Sequence, residues 1–110
     1  MGVILGITIP YMTKDLFLID DDRFIELVFE NIVTRRQIDY HFHGFNSFES
    51  SLEKLIELQP EIVFLDYKLP GLDGVSAITK VKEDSPKSYI VLISDSVEDG
   101  LEARALNEGA

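Results

Sequence analysis

From Leu16 onward, short continuous apolar runs alternate with longer stretches in which apolar residues recur every three or four positions. That alternation predicts βα units and a parallel sheet. LFLI (Leu16 to Ile19) is apolar throughout, as a strand covered on both faces must be. In the stretch after it, Phe24, Leu27, Val28 and Ile32 recur at helical spacing and predict an amphipathic helix. Ile38 to Phe45 alternates only partly and predicts a half-exposed edge strand. A second helix is expected over Ser47 to Gln59, opened by a capping serine and stopped by Pro60. EIVFLD (Glu61 to Asp66) is the third strand, VSAITKVKED a third helix ending before Pro86, and YIVLIS (Tyr89 to Ser94) a fourth buried strand. The C-terminal stretch from Ser96, with Leu101, Ala105 and Leu106, predicts a fourth helix. Right-handed crossovers would put these helices on both faces of one sheet.

Composition narrows what such a domain can do. The 110 residues are about one domain in size and can bury one core. Cysteine is absent, which excludes disulfides, thiolate metal sites and thiol nucleophiles. Twenty acids against 10 bases give a formal net charge of -10, whose field repels nucleic acid and anionic lipid and attracts a divalent cation or a basic partner patch. The N-terminal segment GVILGITI is apolar and uncharged, yet it lacks a basic region ahead of it and is too short to span a bilayer. Residues 1–13 therefore read as an extension able to form an extra strand, residues 14–110 as the domain, and the chain as soluble and cytoplasmic.

In open parallel sheets, ligands gather beyond the carboxyl ends of the strands. Here those ends carry Asp20, Asp21 and Asp22, then Asp66, then Ser94. Capping a helix explains three consecutive aspartates taken alone, and a Pro-Gly turn after Asp66 is ordinary loop chemistry. Taken together across neighbouring strands, the acids repel one another and call for a hard, oxygen-preferring cation such as Mg2+. His41 and His43, two residues apart, are expected as surface residues of an edge strand rather than metal ligands. Phe24, Phe29, Phe42, Phe45, Phe48 and Phe64 are expected in or near the core.

LFLIDDD, IVFLDYKLPGLDG and YIVLISDS together resemble the receiver domain of bacterial two-component response regulators, from about Lys14 to Ala110. The resemblance implies a flavodoxin-like, doubly wound parallel sheet in three α/β/α layers. It also implies Asp66 as phospho-acceptor, with Mg2+ held by Asp20, Asp21, Asp66 and the main-chain carbonyl of Lys68. Ser94 is implied as the switch hydroxyl, and a sensor histidine kinase or phosphotransfer protein as the donor. The domain would be an acceptor rather than an enzyme, apart from weak self-dephosphorylation.

The family pattern continues with a fifth strand, ending in a lysine, and a fifth helix; this sequence stops at LNEGA, so the fold is expected to be truncated after the fourth βα unit. Lys14, Lys54, Lys68, Lys80, Lys82 and Lys87 are all expected in loops or helices. Without a fifth strand, YIVLIS would be an uncharged sheet edge, inviting GVILGITI or a second chain to pair with it in a homodimer. Two functions stand: a phosphorylatable receiver, and a degenerate interaction module that keeps the fold without phosphoryl signalling.

Overall fold

The computed structural model describes residues 2–4, 7–9, 14–69 and 73–93. Within them, four parallel strands form one sheet: β3 (Asp15–Ile19), β4 (His41–Phe45), β5 (Ile62–Asp66) and β6 (Tyr89–Ile93), in the order β4-β3-β5-β6. The connecting helices are α1 (Arg23–Arg35), α2 (Phe48–Leu58) and α3 (Gly74–Asp84). This is the doubly wound, flavodoxin-like α/β arrangement. The expected fourth helix, like Ser94, lies outside the described residues.

Register sorts the strands' side chains into two layers. Phe17 pairs with Val63 and Ile19 with Leu65, and Val63 in turn pairs with Ile90, so these residues share one face. There they meet Phe48 and Leu55 of α2 and Ala77, Ile78 and Val81 of α3 in a single buried cluster. Leu16 and Leu18 point the other way, toward the side where α1 lies and where Phe29 stacks edge-on against Phe64 at 5.0 Å. All five residues of β3 are buried, which its central place between two neighbours requires.

The edge strand starts later than the sequence pattern predicts, at His41 rather than Ile38. The reason is the end of α1. Gln37 takes a left-handed conformation (φ 51°), its N–H donates to the Thr34 carbonyl, and the Ile38 N–H donates to that of Val33. This double closure of a helix C-terminus consumes Ile38 before a strand can begin. α2 ends similarly at Gln59 (φ 49°), whose side-chain amide donates to the Leu55 and Ile56 carbonyls and to that of Asp84.

Two other expectations change. His43 is no surface residue: it is half-buried, its Nε2 sits 2.8 Å from Asp15 Oδ1, and its ring lies against Phe17. Phe24 is 69% exposed, whereas Phe48 is in the core. The N-terminal segment forms two short strands rather than one, β1 (Gly2–Ile4) and β2 (Ile7–Ile9), paired antiparallel in a sheet of their own. No helix among the described residues is long and apolar enough to cross a membrane.

Candidate functional site

β3 and β5 are adjacent and in register, with Ile19 opposite Leu65, so the residues that follow each come out level. The Asp20 N–H still donates to the Phe45 carbonyl at 3.0 Å, holding the chain in strand geometry one residue beyond β3. Similarly, the Tyr67 N–H donates to the Ile93 carbonyl at 2.9 Å and pins the chain just past Asp66. Two aspartates are thereby fixed by backbone ladders rather than by mobile loops. Asp21 follows Asp20 directly, and one carboxylate oxygen from each of Asp20, Asp21 and Asp66 falls within 4.8 Å of the others.

Asp22 has a different task. It is the N-cap of α1, and its Oδ1 accepts the Phe24 N–H at 2.9 Å. Capping removes it from the converging set and starts the helix. Asp20 in turn accepts the Asp22 N–H at 2.9 Å, and Asp66 accepts the Lys68 N–H at 3.1 Å. Each carboxylate is thus oriented through one oxygen by its own chain two residues on, which leaves the other oxygen as a further acceptor.

The three acids differ in their surroundings. Asp20 is buried (7% exposed), Asp66 half-buried and Asp21 exposed. Burial pushes the Asp20 carboxyl above its usual range; the Asp22 N–H works against this, and the charges of Asp66, Asp21 and Asp22 add to it. A buried carboxylate beside three like charges is held at an electrostatic cost that a bound cation removes. The donor set is all oxygen, and it fits a hard divalent ion such as Mg2+, which takes a couple of carboxylates and retains waters.

The carboxylates open into a cleft of about 320 Å³ lined by Asp20, Asp21, Asp22, Ile25, Asp66, Lys68 and Ile93. A neighbouring cleft shares Asp20 and Asp21 and continues over Arg23, Glu26, Asn46 and Ser50. Gly44 belongs to this second cleft: the Glu26 side chain, ion-paired to Arg23, occupies the place a β-carbon at residue 44 would take. The sequence pattern missed Arg23, Glu26 and Gly44, although the three-residue spacing of Arg23 and Glu26 on a helix was a readable signal. Lys68, expected at the site through its main-chain carbonyl, lines the acidic cleft. Ser94 follows β6 and lies outside the described residues.

A doubly wound parallel sheet with acids converging beyond adjacent strand ends defines the class, a flavodoxin-like α/β domain. The particular family follows from comparison: residues 16–110 match the response regulator receiver domain, and the chain belongs to that family. It is 27% identical over 99 residues to the chemotaxis protein CheY of Thermotoga maritima, covering 90% of this chain and 82% of that protein. It is 30% identical over 99 residues to the response regulator protein VraR of Staphylococcus saprophyticus, covering 89% of this chain but only 47% of VraR, about half its length. Among solved structures, a response regulator from Burkholderia pseudomallei, with a phosphorylated aspartic acid, calcium ion and citrate, superposes with a TM-score of 0.79 at 20% identity. That match covers 88% of this chain and 56% of the other.

Proposed function

We propose that this receiver domain accepts a phosphoryl group on Asp66 from a phosphohistidine of a sensor histidine kinase or phosphotransfer protein. The convergence of the Asp20, Asp21 and Asp66 oxygens within 4.8 Å carries this reading. It puts a nucleophilic carboxylate beside a pair of acids suited to hold the charge-neutralising ion. Asp66 attacks phosphorus, an oxygen–phosphorus bond forms, and the phosphorus–nitrogen bond of the donor breaks. The departing imidazole nitrogen keeps the electron pair and the product on Asp66 is an acyl phosphate.

Asp20, Asp21, Asp66 and the Lys68 carbonyl would hold Mg2+. When bound, the ion neutralises charge on the phosphoryl oxygens. The hydrogen bond from the Lys68 N–H to Asp66 Oδ1 orients the nucleophile and leaves its other oxygen as a further acceptor. Ser94, next after β6, supplies the hydroxyl that the phosphoryl group engages afterwards. The acceptor role makes the domain a signalling component in the cytoplasm, with slow self-dephosphorylation rather than turnover. The receiver spans residues 14–110 and residues 1–13 are an extension. Among the described residues β6 has β5 as its one sheet neighbour, and pairing of this apolar edge with a second copy is the route to a homodimer.

Incubating the chain with a small acyl-phosphate donor and Mg2+ and weighing it by mass spectrometry tests the proposal. One phosphoryl group should be gained, and Asp66→Asn should remove the gain. A gain that survives in Asp66→Asn sinks the assignment; no gain in the parent favours the degenerate interaction module.

A further inference from the structure

On the α1 side of the sheet, burial falls away toward β6. One register row there runs Leu18, Phe64, Val91, and the row before it Leu16, Ile62, Tyr89. In the first, Leu18 is fully buried, Phe64 half-buried and Val91 42% exposed; in the second, Leu16 is buried, Ile62 half-buried and Tyr89 71% exposed. The opposite face has no such slope, since Ile90 on the same strand is buried in line with Val63 and Phe17. α1 reaches β5 through the Phe29 ring on Phe64 and leaves an apolar step over β6. Strands of a parallel sheet are ordinarily covered on both faces, so this step calls for a cover.

We propose that the N-terminal hairpin of β1 and β2 is that cover, docking face-on over Tyr89, Val91 and Phe64 beside α1. Among the described residues its strands pair only with each other, and a lone two-stranded hairpin is marginal in water. Register puts the pairs Gly2–Ile9 and Ile4–Ile7 on one face of the ribbon, so three isoleucines share it, and Val3–Thr8 on the other. Residues 1–13 carry no charged side chain, although the chain has 20 acids and 10 bases, so the ribbon lies down without desolvating one. The tether also reaches. β3, β5 and β6 start level, the Glu61 N–H donating to the Asp15 carbonyl and the Tyr89 N–H to that of Glu61. Two strand spacings of about 4.8 Å separate the start of β3 from that of β6. The chain from Ile9 to Lys14 can span about 16 Å when extended. So short a tether holds the hairpin at an effective concentration of about millimolar, which gives it precedence over a second copy. The contact is between faces and is separate from backbone pairing along the β6 edge.

The chain has no cysteine, so a nitroxide on Thr8→Cys labels one position, on the ribbon face turned from the isoleucines. The full chain is read by amide NMR with the label oxidised and then reduced. Tyr89 and Val91 should lose at least half of their signal to the oxidised label, while Ile56, exposed on α2 across the sheet, keeps its own. Adding Ile4→Asp and Ile7→Asp should restore the β6 signals and leave the shifts of the other strands in place. Signals at Tyr89 and Val91 that survive the label, or that fall no further than that of Ile56, overturn the inference. So does a loss that persists with both aspartates present. Mixing spin-labelled chain with isotope-labelled, unmodified chain separates the sources. A loss at β6 in the mixture as deep as within one chain assigns the face to a second copy and overturns the hairpin's seat on its own chain; β6 signals that stay intact in the mixture support it.

Discussion

The two faces of the sheet are covered by helices of similar apolar content and very different burial. On one face, α2 and α3 bring Leu55, Ala77, Ile78 and Val81 to full burial against Phe17, Ile19, Val63 and Leu65. On the other, α1 contributes no buried residue at all, and Phe24, Leu27, Val28 and Ile32 stay exposed among the described surroundings. Strand residues follow suit, with Ile90 buried on the first face and its neighbours Tyr89 and Val91 exposed on the second. The acidic crevice stands on the first face: β3 and β5, which lead into Asp20 and Asp66, are packed from that side, while α1 is opened by the Asp22 cap. Stability and site chemistry are therefore unevenly distributed across one sheet.

The largest effect that would break this contrast is a hole in the closed face. Leu55 is fully buried between α2 and the sheet. Leu55→Ala should cost about 2–5 kcal/mol, read from the denaturation midpoint, because lost transfer energy and a residual cavity add. On the other face, Phe29→Ala removes a half-buried ring and its edge contact with Phe64, and should cost only about 1–2 kcal/mol. Equal costs at the two positions would show that α1 seals its face as tightly as α2 and α3 seal theirs.

Why α1 could be found in the sequence, yet turned the wrong way, follows from its composition. Apolar residues occupy Phe24, Ile25, Leu27, Val28, Phe29, Ile32 and Val33, more than one stripe's worth. The three- and four-residue spacing of Phe24, Leu27, Val28 and Ile32 satisfies helical periodicity, but so does Ile25, Phe29 and Val33, and the latter set is the half-buried one. Which stripe faces the sheet is settled by packing between elements, where Phe29 meets Phe64 of β5, while Asp22 only marks where the helix begins. Strands were easier, since β3, β5 and β6 are short, β-rich and bounded by Asp, Pro or Ser. The acids of the crevice were legible for the same reason: they directly follow continuous apolar runs, and parallel topology does the rest. The pairing of His43 with Asp15, and the seat of Glu26 over Gly44, depend on contacts between elements that no local pattern encodes.

A smaller effect sharpens the link between burial and site chemistry. Asp20 has its pKa raised in the folded chain, first by burial and then by the charges of Asp66, Asp21 and Asp22. The folded chain therefore holds that proton to higher pH than the unfolded chain does. The resulting stability is fully present below the ordinary aspartate value and is lost as pH rises through the raised folded value. In chelator, Asp20→Asn should remove this fall, so that variant and parent converge at acidic pH and the variant is the more stable at neutral pH. Thermal melts across that range read the difference; a parent whose stability relative to Asp20→Asn grows with pH would reverse the sign and undo the burial argument.

The smallest expected effect lies on the exposed stripe of α1, and it is the cleanest discriminator between the faces. Phe24 sits one residue into the helix, 69% exposed, with its backbone N–H already satisfied by Asp22. Truncating an exposed aromatic removes little buried area, and surface substitutions away from special features stay within about 0.5 kcal/mol. Serine is a slightly poorer helix former than the best residues but comparable to phenylalanine, so propensity adds almost nothing. Phe24→Ser should thus leave the melting midpoint nearly unchanged while the circular dichroism of the helices stays the same. It should also leave Mg2+ affinity unaltered, since the cap bond comes from the main chain and survives the change. A loss above about 1 kcal/mol is more than an exposed side chain can contribute. Such a loss would mean that the stripe is covered in solution, and that α1 closes its face of the sheet as α2 and α3 close theirs.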